Sequence, residues 1–267
     1  MNQVDIDGIF LELNHIPAPN GAEKGLAPLV FLHEGLGSVA MWRDWPRQLC
    51  AVTGREGWVY SRQGYGKSDT VENVRGEPQE HDSGRRSGRL LPDYMHREAL
   101  DVLPKLLAKL GIQKPVLIGH SDGATIALLH ATRHPVSACV VLAPHVMVED
   151  VTVRSINEAR HAYEAGDLRK PLSRYHDQVD VAFWQWNDIW LSDAFRSFDI
   201  RNECQAITAP LLAIQGLDDA YGTMAQIDDL VDAVPQALSL VIPQCRHSPH
   251  RDQPQIVNEA IAKFLRE

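Results

Sequence analysis

The sequence has no apolar run near the ~20 residues that span a bilayer, and its opening stretch, MNQVDIDGIFLEL, lacks the charged-then-apolar order of a secretion signal. A cytoplasmic chain with no membrane partner is expected. Cysteine is sparse: Cys50, Cys139, Cys204 and Cys245 stand apart with no C-x-x-C pair, which fits a reducing compartment better than a disulfide scaffold. Positive charge is scarce too, with 26 Lys and Arg against 35 Asp and Glu and a formal net charge of -9. The arginines of RGEPQEHDSGRRSGR are interleaved with acids, so the clustered basic surface that a nucleic-acid partner needs is missing. No low-complexity block and no internal repeat occurs, which sets aside disordered and solenoid architectures.

What is present is an ordinary globular composition, 44% hydrophobic over 267 residues. That length suits one α/β unit with an inserted subdomain. Short β-branched or aromatic runs recur: PLVFLH (28–33), GWVYSR (57–62), PVLIGH (115–120), ACVVLAP (138–144), PLLAIQG (210–216) and LSLVIPQ (238–244). Continuous apolar runs of this kind fit strands buried on both faces of a parallel sheet, and the helical patterns between them make a doubly wound α/β fold. One of these, YMHREALDVLPKLLAKLG, ends on Gly111 as a C-cap and should kink or break at Pro104. Residues 70–93 are polar and rich in Gly, Pro and charge, which reads as a long mobile loop. Residues 146–203 hold no convincing strand but do hold AFWQWNDIW. A helical lid over 146–203, inserted into a core of residues 1–145 and 204–267, is the expected division.

Gly119-His120-Ser121-Asp122-Gly123 matches G-x-S-x-G between a strand and a helix, the context in which this motif lifts the middle side chain off the sheet's carboxyl edge. Ser121 is therefore the candidate nucleophile. Asp122, one position past the apex, is suited to offer its backbone N–H to an oxyanion and its carboxylate to the helix dipole. A serine needs a base, and the base an orienting acid. Both are expected at the ends of later strands, in the order Ser, acid, His. LLAIQGLDDAYG supplies Asp219, preferred over Asp218 because it leaves a short loop in which the carboxylate reaches the histidine. VIPQCRHSPHRDQP supplies His247. His250 reads as a neighbouring or surface residue, and His247-x-x-His250 lacks a third ligand in frame, so neither metal nor cofactor is expected. In HEGLGS, Gly35 or Leu36 can present the second oxyanion N–H. His33 and Glu34 are candidate substrate-binding residues, with a structural role for His33 ranked above a catalytic one. Trp184, Trp186 and Trp190 are candidates for an apolar pocket wall; Trp186 and Trp190 share a helical face and Trp184 points elsewhere.

These segments together resemble the serine-dependent α/β-hydrolase superfamily, in the branch of esterases, lactonases, carbon–carbon bond hydrolases and prolyl iminopeptidases with a helical lid. FLHEGLGS is similar to the oxyanion strand and loop, SRQGYGKSD to the D-x-x-G-x-G-x-S loop, GHSDG to the elbow, GLDD to the acid loop and HSPHRDQP to the histidine loop. The resemblance implies Ser121 as nucleophile, His247 as base, Asp219 as acid, and backbone donors at Asp122 and Gly35. It implies a small-molecule substrate, most simply a carboxylic ester, lactone or thioester of a hydrophobic molecule. Carbon–carbon hydrolysis of a diketone, an aminopeptidase of the prolyl iminopeptidase type, and a catalytically silent binding module remain as alternatives. Family members commonly have His-Gly where this chain has His33-Glu34, and Asp where it has Ser61. Ser248, where carbon–carbon hydrolases often carry Trp, weighs against that subclass, while Glu34 keeps the amine-binding alternative open.

Overall fold

The computed structural model describes residues 3–80 and 86–266. Ten strands are found among them: β1 (Gln3–Ile6), β2 (Ile9–Ile16), β3 (Leu29–Leu32), β4 (Gly57–Tyr60), β5 (Gln79–Glu80), β6 (Arg86–Ser87), β7 (Val116–His120), β8 (Ala138–Leu142), β9 (Leu211–Gly216) and β10 (Leu238–Ile242). Eight form one sheet in the order β1-β2-β4-β3-β7-β8-β9-β10. From β4 to β10 every pairing is parallel, as expected, whereas β1–β2 and β2–β4 are antiparallel. The β1–β2 hairpin is absent from the sequence reading. Its signal is alternation: Leu11 and Leu13 are buried between less buried neighbours on a strand at the sheet's margin.

The helices are α1 (Trp45–Thr53), α2 (Tyr94–Arg97), α3 (Leu103–Leu110), α4 (Asp122–Ala131), α5 (Asp150–Glu164), α6 (Arg169–Leu172), α7 (Val179–Trp190), α8 (Arg201–Cys204), α9 (Ala225–Ala233), α10 (Pro249–Asp252) and α11 (Pro254–Phe264). Between α2 and α3 the chain widens into a π-helical turn, Glu98–Val102, where the ring of Pro104 would otherwise meet the carbonyl of Leu100. Gly111 closes α3 at φ 70°. The 70–93 stretch holds the small β5–β6 ribbon; residues 81–85, where the mobile-loop expectation also falls, lie outside the described residues.

Alternate residues of the central strands feed two cores. Leu117, Val141 and Ala213 join the side that packs α4 and the 146–203 helices. Ile118, Val140 and Ile214 join the side that packs Trp42, Trp45 and α11. Helices α5 to α8 all fall between β8 and β9, above the carboxyl edge on which β7, β9 and β10 end. No described helix is long and apolar enough to cross a membrane.

Candidate active site

The turn from β7 into α4 puts Ser121 at φ 52°, ψ −119°, a region that costs a non-glycine residue ~1–3 kcal/mol and persists only where its surroundings hold it. Here the Ser121 N–H donates to Leu142 O at 2.9 Å. The flanking glycines are required by space: a Cβ on Gly119 would come 2.3 Å from Gly123 O, and one on Gly123 2.0 Å from Leu32 O. The hydroxyl that results is held at the strand ends.

Two loops bring it partners. The His247 ring follows β10, with Nε2 3.0 Å from Ser121 Oγ and Nδ1 donating to both Asp219 oxygens at 2.9 and 2.8 Å. Asp219 follows β9 and also accepts from Tyr221 N–H at 2.7 Å and Gln215 Nε2 at 3.0 Å. Burial alone would raise its carboxyl, but the hydrogen bond and charge of His247 outweigh that and hold it below the usual carboxylate range. Asp218 is exposed and its N–H donates to Cys245 O at 2.9 Å, so only Asp219 reaches the imidazole.

The HEGLGS loop is braced from beneath. His33 Nδ1 donates to Glu34 O at 2.7 Å, while its Nε2 accepts from Arg62 N–H at 3.1 Å. Arg62 Nη2 donates to the same Glu34 carbonyl at 3.0 Å. From the 146–203 segment His176 Nε2 donates to Leu36 O at 2.9 Å, with Gly66 N–H donating to its Nδ1 at 3.0 Å. Among the described residues, the N–H groups of Gly35, Leu36 and Asp122 donate to no other part of the chain. The Asp122 carboxylate does stand at the start of α4, but it is buried and satisfied by partners that spacing along the chain did not reveal. Tyr94 Oη donates to it at 2.7 Å, Trp190 Nε1 at 3.3 Å, and Arg62 Nη2 lies 3.7 Å away.

A cavity of about 140 Å³ opens on Ser121, lined by Glu34, Gly35, Leu36, Asp122, His145, Ile156, Trp186, Trp190, Tyr221, His247 and neighbours. Two of the candidate substrate-binding residues are not on it. His33 lies beneath the loop, because both its ring nitrogens are spent bracing that loop and Arg62. Trp184, two residues before Trp186 on α7, faces outward with the Arg75 guanidinium 4.0 Å over its ring. Glu34 reaches the cavity, its carboxylate 3.3 Å from His120 Nδ1 and 3.5 Å from Arg251 Nη2. The hydrogen bond with His120 and the nearby Arg251 guanidinium overcome burial and hold it well below the usual range. His250 is buried rather than on the surface, packed against both Trp42 and Trp45, which stack on each other. A larger cavity, about 310 Å³, lies beyond Arg62 against β1, β2 and the α2–α3 segment; no side chain of the Ser121 cluster lines it. Arg62, Tyr94, His145 and Tyr221 are the residues sequence reasoning missed. Only His145, in LAPH just past a buried strand, carried a local signal, since ligands of open α/β sheets gather at strand carboxyl ends.

A parallel sheet, an elbow serine and a following acid and histidine at its carboxyl edge define the α/β-hydrolase class. The Alpha/beta hydrolase family profile matches residues 29–260, and the chain belongs to that family. It is 26% identical over 288 residues to RutD of Caulobacter vibrioides (strain NA1000 / CB15N), provisionally named a carbamate hydrolase, covering 97% of this chain and 96% of that protein. Its fold is similar to the proline iminopeptidase of Mycobacterium smegmatis (TM-score 0.75, 18% identity, 99% and 97% of the two chains). It is similar also to the enol-lactonase of Burkholderia xenovorans LB400 (TM-score 0.74, 19% identity, 99% and 100%).

Proposed function

We propose that the protein is a serine hydrolase that takes the acyl group of a carboxylic ester, lactone or thioester onto Ser121. The observation that carries this is the continuous hydrogen-bonded line from Ser121 Oγ through His247 to Asp219, at 3.0 and 2.8 Å. As Oγ attacks the carbonyl carbon, its proton passes to Nε2. Asp219 holds the ring in the tautomer that leaves Nε2 free and stabilises the imidazolium that forms. The carbonyl oxygen, now negative, accepts from Asp122 N–H and from Gly35 or Leu36 N–H, all otherwise unused. His247 then gives its proton to the leaving oxygen or sulfur, and water releases the acid by the same route.

Residues 146–203 serve in this reading as a lid, with Trp186, Trp190 and Ile156 as apolar wall. At about 140 Å³ the space is below the ~300 Å³ of ordinary ligand pockets, which favours a small acyl or leaving group. The amine-binding alternative wants an uncommitted carboxylate, and Glu34 is already paired with Arg251 and hydrogen-bonded with His120. The test is a panel of p-nitrophenyl esters, lactones, thioesters and aminoacyl amides on wild type and Ser121→Ala, with a serine-directed phosphonate. Ester turnover that falls about a thousandfold in the variant, and phosphonate mass on the Ser121 peptide, are expected. Turnover in Ser121→Ala within tenfold of wild type, or mass on another serine, refutes the assignment.

A further inference from the structure

We propose that His145 and Tyr221 recognise a hydrogen-bonding group on the leaving-group side of the substrate, so that the preferred substrates are esters whose leaving alcohol carries a second oxygen near the ester bond. The proposal rests on the serine-hydrolase reading. His145 lies just past the carboxyl end of β8, and its backbone is tied to α4 in both directions: Thr125 Oγ1 donates to His145 O at 2.8 Å, and His145 N–H donates back to Thr125 Oγ1 at 3.2 Å. The ring is thereby fixed in the cavity wall, 2% exposed, edge-on to Trp190 with centroids 5.1 Å apart. The hydrogen bonds of His145 are made by its backbone, and Nδ1 is enclosed without a partner among the described residues. Buried polar atoms are nearly always satisfied, so one left open at a cavity wall calls for an outside partner. Burial also drives the imidazole down to about 3, so near neutral pH it is uncharged, with one N–H to donate and one lone pair to accept.

Position assigns the side. The leaving atom takes its proton from His247 Nε2, so the leaving group must rest against that ring. The rings that flank it are Tyr221, with centroids 4.7 Å apart, His120 at 5.2 Å and His145 at 5.6 Å. Both His120 nitrogens are already engaged, with Glu34 and the His247 carbonyl, which leaves Tyr221 and His145 to meet the group. Trp186 stands instead at the oxyanion loop, where a Cβ on Gly35 would come 2.1 Å from its Nε1. The polar part of the wall therefore meets the alcohol, with the Tyr221 ring also lining the cavity beside His247.

The test compares 2-hydroxyethyl butyrate with propyl butyrate, equal in size and differing in one hydroxyl, on wild type, His145→Leu, His145→Gln and Tyr221→Phe, each checked for its melting temperature. Wild type should favour the hydroxylated ester about tenfold in kcat/KM, the worth of one good hydrogen bond. His145→Leu should bring the ratio within twofold, with His145→Gln and Tyr221→Phe between. A wild-type ratio within twofold, or equal loss on both esters in His145→Leu, overturns the proposal and leaves the ring a structural part. So does a Ser121 that takes up the phosphonate but cleaves neither ester. If the phosphonate does not label Ser121, it is the serine-hydrolase reading that fails, and this proposal with it.

Discussion

Arg62→Met, Asp122→Asn and the double variant together test the charge pair under the candidate oxyanion site. The two side chains are 6% and 1% exposed, with Nη2 3.7 Å from Oδ2. At an effective dielectric of ~20 that separation corresponds to about 4 kcal/mol of attraction. Burial pushes the Asp122 carboxyl up, and the Arg62 charge is the foremost influence opposing it. Arg62→Met leaves that carboxylate with Tyr94 and Trp190 alone, a change expected to cost about 3–5 kcal/mol. Asp122→Asn should cost less, because Arg62 keeps the Glu34 carbonyl and the Tyr65 ring, 5.0 Å away. Removing both charges should restore part of the loss, so the double variant should be more stable than the sum of the singles by about 2–4 kcal/mol. Urea unfolding at pH 7 measures all four proteins. The same variants bear on rate. Arg62 holds the carbonyl of the peptide whose N–H belongs to Gly35, and it neutralises a carboxylate beside the proposed oxyanion. Arg62→Met should therefore lower kcat more than it changes KM, and the added Asp122→Asn should recover part of kcat. Additivity within about 0.5 kcal/mol, together with no recovery of kcat, would refute the reasoning.

Asp219→Asn should lose far more ester turnover than Asp218→Asn, because only Asp219 touches His247; steady-state assays at pH 7 check the order, and its reversal would shift the acid by one residue. His145 titrates at about 3 folded against 6.5 in its ordinary state, so its stabilising effect is complete above ~6.5 and is lost as pH falls toward 3. From pH 7 to pH 5, wild type should lose about 2 kcal/mol more than His145→Gln in urea titrations, and equal losses would mean the ring is not held neutral. Trp186→Ala should cost about 3–5 kcal/mol and raise kcat/KM for bulky acyl groups relative to small ones. Trp184→Ala, which releases Arg75 rather than the cavity, should leave that preference unchanged.

The parts of the site that could be read from the chain are those whose geometry is local or fixed by topology. A strand, a glycine-flanked turn and a helix occupy adjacent residues, so 116–131 carried the elbow whole. In a parallel sheet all strands end on one edge, so residues just past β7, β9 and β10 converge however far apart they stand in sequence. Asp219, His247 and Ser121 could be grouped on that ground alone, although the choice between Asp219 and Asp218 rested on which carboxylate the loop turns inward. Trp184 and Trp186 differ by two helical positions, about 200° of rotation, which told that they part but not which of them meets the cavity. That depends on how α7 lies on the sheet. The bracing residues were least legible. Arg62 and Asp122 are 60 residues apart and Gly66 and His176 are 110 apart, and neither pair follows from a motif, since each depends on loops from different strands packing side by side. Strand ends decide which groups can react, whereas the contacts among the loops above them decide how those groups are aimed, and only the first is written in the order of the elements.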